Sequence, residues 1–168
     1  MARIDIPEGE RPEIERVWAM SPELGGAVAN LSLAVYGKRL LPPRVREAAR
    51  MKIAHINGCV VCMGWRIPEL ADHGVTEELY AHVDDPTNAE YSVAEGLAIE
   101  YAEKFALDHR SIDDAFFARL KAQFTDEEIL ELTILIGDWM AFGRLTAVLD
   151  LDQACAWAPP AAVSAASS

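Results

Sequence analysis

With 168 residues, 51% of them apolar and 25% charged, the chain fits one domain that can bury roughly 70% of the surface its unfolded form exposes, so no structural metal or disulfide is needed for stability. A net charge of −12 argues against phosphate backbones and anionic membranes as partners, which excludes nucleic acid binding as the expected role. The first residues, Met1-Ala2-Arg3-Ile4-Asp5-Ile6-Pro7, hold no apolar leader core, and no later run approaches the ~18 continuous apolar residues of a membrane span, so a cytoplasmic protein is expected.

Residues 1–11 read as an arm without periodicity, and Pro12 to Met20 as a short helix. Ser21-Pro22-Glu23 combines an N-cap with proline at the first helical position and opens a second helix to about Tyr36. After a break at Leu40 to Pro43, a third helix carries Glu47, Met51 and His55 on one face and stops at Asn57-Gly58. A cysteine-bearing helix follows, expected to kink or restart near Ile67 because of Pro68 and to end at His73-Gly74. Thr76 caps a short helix over Glu77 to Val83. Ser92 to Glu95 is a capping box, followed by a helix whose stripe of Val93, Leu97, Tyr101 and Phe105 is expected in the core. Asp113 to Gln123 is amphipathic, and a second capping box, Thr125 to Glu128, opens a long helix to about Leu149. Within it Ile129 to Trp139 is apolar nearly all round, which predicts contact on several sides and a homo-oligomer. The tail, 158–168, is rich in Ala, Pro and Ser and is expected to be flexible. No strand alternation appears, so the expectation is one all-α domain of about seven to eight helices.

The chemistry concentrates at Cys59-Val60-Val61-Cys62, directly after the Asn57-Gly58 turn. Two sulfurs three residues apart share one face of a first helical turn, where unpaired N–H groups favour a thiolate. With three cysteines in all, a secreted disulfide framework is improbable, and a lone CxxC in a reducing compartment reads first as redox chemistry. Inert thiols and half of a zinc site are the other readings. Zinc would need a second ligand pair, and Cys155 and the scattered histidines do not supply that spacing, so neither metal nor cofactor is expected.

This layout resembles the carboxymuconolactone decarboxylase superfamily and, within it, the AhpD-like alkylhydroperoxidase branch. The shared pattern is Glu47, Asn57-Gly58-Cys59, Cys62 and Gly74, followed by a late helix with Trp139-Met140-Ala141-Phe142-Gly143-Arg144; it covers about residues 40–151. The resemblance implies an all-helical trimer or hexamer in which Cys62 attacks a hydroperoxide, Cys59 resolves it, Glu47 starts a proton relay, and a disulfide reductant or lipoyl carrier returns the electrons. Where the family carries relay histidines this chain has Val61 and Arg66, which implies weaker peroxidase chemistry.

Arg66, placed one turn past Cys62, has two readings: a guanidinium that stabilises the Cys62 thiolate, or the partner of a surface acid such as Glu69. His55 lies about 12 Å along the helix from Glu47, beyond direct contact, and reads as a structural histidine with a relay substitute as the alternative. Trp65, Trp139 and Phe142 are expected in the core or at a subunit contact in preference to a substrate pocket. The competing functions are a lactone decarboxylase or isomerase and a redox-sensing helical oligomer without turnover.

Overall fold

In the computed structural model, residues 2–37 and 40–151 are described; Cys155 and the expected tail at 158–168 lie outside them. Helix α1 (Glu13–Ala19) and helix α2 (Pro22–Tyr36) form an N-terminal pair. Pro22 starts α2, as the sequence suggests, but the Ser21 side chain makes no capping hydrogen bond. The residues before α1 are irregular, and the Arg3 N–H donates to the Leu149 carbonyl at 2.9 Å.

Helix α3 (Pro43–Asn57) is the centre of the molecule. Its Ala48, Ala49 and Ala54 are at most 2% exposed, and residues this small let two neighbouring helices approach closely. On one side Ala49 and Ile53 join Leu97 and Tyr101 of α6 (Val93–Leu107), Phe116 and Leu120 of α7 (Asp114–Lys121), and Leu132 and Ile136 of α8 (Asp126–Leu149). On the other, Ala48 and Met51 pack with Leu79 and Tyr80 of α5 (Glu77–Ala81) and with Val83 and Ile99. Between α3 and α5 run α4 (Val60–Gly64) and a 3-10 turn over Pro68–His73.

Two of the charged side chains on this central helix are held by acids of neighbouring segments. Arg44 binds Glu95 at 2.7 Å and Glu90 at 3.1 Å, and Lys52 binds Glu103 at 2.8 Å and Asp84 at 3.2 Å. Both capping boxes form, Ser92 with Glu95 and Thr125 with Glu128. No strand occurs among the described residues, and the fold is all-α.

Three local expectations are corrected. Val93 is 73% exposed, because it occupies the first turn of α6 and projects before the stripe meets the core. Helix α5 ends at Ala81 instead of Val83. Helix α4 ends at Gly64, where Trp65 turns extended, so Arg66 is not on the cysteine helix at all. Among the described residues α8 alone has the length and hydropathy of a membrane span, yet its Leu132, Leu135 and Ile136 are core residues packed beside α3.

Candidate active site

The site begins with the way α3 stops. Gly58 takes φ +60°, a left-handed conformation in which glycine meets no Cβ penalty, and its N–H donates to the His55 carbonyl at 3.0 Å. The chain then turns back so that the Cys59 N–H donates to Ala54 O at 3.1 Å. Cys59 is extended and occupies the N-cap of α4, its sulfur accepting the Cys62 N–H at 3.2 Å. The two cysteines are disulfide-bonded. Cys59 is buried at 5% exposure, with Thr146 Oγ1 of α8 at 3.9 Å from its sulfur, while Cys62 is only half-buried.

Helix α8 is held against this turn by Asn57. Its Nδ2 donates to the Trp139 carbonyl at 3.1 Å and its Oδ1 accepts from Arg144 Nε at 3.1 Å. A Cβ at position 143 would stand 2.5 Å from Asn57 Nδ2, so the close approach requires Gly143.

Behind Cys62 lies a buried ion pair. Glu47 and Arg50 are each 3% exposed; Arg50 Nε donates to Glu47 Oε2 at 2.8 Å, and the Tyr80 hydroxyl donates to the same oxygen at 2.9 Å. Two further guanidinium donors reach the main chain of the cysteine segment, the Cys62 carbonyl at 2.7 Å and the Trp65 carbonyl at 3.4 Å. Burial pulls the Arg50 pKa down, but Glu47, with Tyr36 and Tyr80, outweighs it and holds the guanidinium above its ordinary value. Burial likewise pushes Tyr80 up, reinforced by the negative Glu47 it bonds. Arg50 therefore stays charged and ties Glu47 to the backbone of Cys62.

In front of Cys62 opens a cavity of about 630 Å³, walled by α1, α2, α3 and α8. Aromatic side chains form part of its wall: Tyr36 stacks on Trp65 with centroids 5.6 Å apart, and Trp18 meets Phe142 edge-on at 6.0 Å. Trp65, Trp139 and Phe142 all line this pocket, and Trp139 also packs against the main core. Burial raises Tyr36 to about 12, and desolvation alone raises Asp138 to about 6 from an ordinary 3.8.

Of the residues singled out in the sequence, Cys59, Cys62 and Glu47 are brought together, Glu47 through Arg50. Arg66 points elsewhere: Nε and Nη2 donate to Glu77 at 2.6 and 2.8 Å, so its acid is Glu77 and not Glu69, and its guanidinium lies 4.2 Å from the Tyr80 ring centre. His55 Nδ1 is 3.1 Å from Asp84, on the Lys52 side of α3. Sequence reasoning missed Arg50, Tyr80, Tyr36 and Asp138. Arg50 had a signal, an arginine one turn after Glu47 on the same helix. The others come from α2, α5 and α8, and no spacing in the chain links them to the cysteines.

No protein-family model matches the chain. It is similar to the uncharacterized protein YnjA of Escherichia coli, 32% identical over 112 residues that cover 66% of this chain and 62% of that protein, so the match spans less than two thirds of the relative. Among solved structures it resembles an uncharacterized peroxidase-related protein from Silicibacter sp. TM1040, with a TM-score of 0.71 at 18% identity, covering 90% of this chain and 91% of the other. It also resembles ATU0492 of Agrobacterium tumefaciens, a protein of unknown function and candidate AhpD antioxidant-defence protein, with a TM-score of 0.70 at 23% identity over 91% and 98% of the two chains.

Proposed function

We propose that this chain, whose helical architecture is AhpD-like, is a thiol-dependent oxidoreductase that reduces hydroperoxides through the Cys59/Cys62 pair. The observation that carries the reading is the disulfide itself, placed so that Cys62 faces the pocket while Cys59 is turned toward Thr146. In the reduced protein the Cys62 thiolate attacks the terminal oxygen of the hydroperoxide. The O–O bond breaks, Cys62 becomes a sulfenic acid, and the departing alkoxide takes up a proton to leave as alcohol. The Cys59 thiol then attacks the Cys62 sulfur, closing the disulfide and releasing water. A dithiol reductant or lipoyl carrier restores both thiols by exchange.

Arg50 supplies a fixed positive charge at the Cys62 backbone, which favours the thiolate. Glu47 acts through Arg50 as a positioning residue, and Tyr80 holds the carboxylate from the other side. Arg66 contributes its charge across Tyr80, away from the sulfur, and His55 keeps a structural role with Asp84. A protein that must return to the dithiol state suits a reducing, cytoplasmic setting.

The test counts thiols by mass spectrometry before and after one equivalent of cumene hydroperoxide. The expected result is loss of two thiols with no oxygen added, recovery with dihydrolipoamide, and continued consumption of peroxide when both are in excess. With Cys59→Ser, Cys62 should trap one oxygen as sulfenic acid; with Cys62→Ser, consumption should stop. One oxidation event without turnover would instead favour the redox-sensing reading, and oxidation of the Cys62→Ser protein would reverse the two roles.

A further inference from the structure

The pocket in front of Cys62 is larger than hydrogen peroxide requires. About 630 Å³ lies in the range of sites that enclose a molecule of one or two rings. Its walls are flat, since Trp18, Tyr36, Trp65, Trp139 and Phe142 all contribute to the lining. Among this apolar surface sits Asp138, only 9% exposed, whose Oδ1 has no hydrogen-bond partner among the described residues. A buried carboxylate oxygen without a donor costs free energy, and such a group in a native fold calls for an explanation. Arg50, the pocket's buried cation, is already engaged by Glu47 and two carbonyls and does not answer it.

We propose that the pocket binds an uncharged planar aromatic molecule with one O–H or N–H donor, held between the aromatic walls and donating to the Asp138 carboxylate. Each part of the site selects one property of that ligand. Parallel and edge-on rings reward a flat π-system over a flexible alkyl chain. A site that presents an unpaired acceptor disfavours the isostere that lacks the donor, because the acceptor is then left unpaired. The carboxylate repels an anion. The elevated pKa of Asp138 fits a desolvated site of this kind. This inference deepens the hydroperoxide reading and rests on it only in naming the ligand as substrate: an arylalkyl hydroperoxide has the ring and, in its O–O–H group, the donor.

The experiment uses the full chain in its disulfide form, in which no Cys59 or Cys62 thiol is free to react. Three probes are compared by ligand-observed fluorine NMR: 6-fluoro-2-naphthol, 2-fluoronaphthalene and 6-fluoro-2-naphthoate. The naphthol is expected to bind at least tenfold more tightly than the fluoronaphthalene, and the naphthoate not to bind at pH 7. Asp138→Leu should abolish the naphthol's advantage and leave the fluoronaphthalene bound, whereas Asp138→Asn, which keeps an acceptor oxygen, should retain it. Equal affinity of naphthol and fluoronaphthalene for the wild-type protein overturns the proposal without reference to any variant, as does an advantage that survives Asp138→Leu. If that happens while the reduced protein still consumes hydroperoxide, only the aromatic site falls. If the naphthol preference holds and no hydroperoxide is consumed, the site stands and the peroxidase reading fails.

Discussion

Arg50 ties together the surroundings of the cysteine pair through the main chain. Its guanidinium joins a buried carboxylate to the cysteine backbone, and removing one member of a buried pair typically costs ~3–5 kcal/mol because the survivor is left charged and unpaired. Arg50→Met should therefore lose about that much in urea unfolding, whereas Arg50→Met combined with Glu47→Gln should lose clearly less than the two single changes added together. Asp138 has the opposite character. Its folded pKa of about 6 exceeds the ordinary 3.8, so the fold prefers the protonated acid; that preference is fully present below about pH 4 and is lost as pH rises through 6. Asp138→Asn should match the wild type at pH 4 and exceed it by ~1–3 kcal/mol at pH 8, after allowing for water at the pocket mouth. Equal stabilities at both pH values would contradict the elevated pKa. Cys59, Cys62 and Glu47 were legible because their relation runs along one chain segment. Arg66 was misplaced because a helix assumed to continue stops at Gly64, and Tyr80 and Asp138 were invisible because only tertiary packing brings them near.

Among the elements, α3 and α8 fix the geometry of the cysteine turn, and their contact narrows to Asn57 against Gly143. Gly143→Ala should displace the Asn57 amide, costing its bonds to Trp139 and Arg144, about 1–2 kcal/mol in all. For a chain of this length that is a fall of roughly 2–8 °C in the melting temperature. A melting temperature unchanged within 1 °C would mean that α8 has slack the structure does not suggest. Helix starts were readable where a local hydrogen-bond motif marks them, as at Ser92 and Thr125. Helix faces were less so. The stripe on α6 includes Val93 by periodicity, but whether a first-turn residue reaches a neighbour depends on where that neighbour ends.

For the whole molecule, the apolar character of α8 is only partly spent inside one chain: Leu130 and Ile134 are 61% and 50% exposed one turn apart, and Leu24 on α2 is 70% exposed. We propose that a second copy of the chain covers such surface, with the trimer or hexamer implied by the family resemblance. Light scattering should give a multiple of 18.5 kDa for the wild type and a shift toward that mass for Leu130→Glu with Ile134→Glu. A wild-type monomer at micromolar concentration would sink the idea. The all-α class followed from capping and periodicity, but the pocket did not, because a cavity is a property of how helices close on one another and leaves no period in the chain.

That cavity takes its walls from two parts of the chain. The thiols and the ion pair behind them belong to α3 and α4, whereas Trp18, Leu33 and Tyr36 come from the N-terminal pair, which precedes the stretch sharing the cysteine pattern. The cysteine pair and part of the wall in front of it thus lie on separate pieces of chain. Exchanging α1 and α2 for another pair could change which molecules reach the sulfur while the dithiol beneath them continues unaltered.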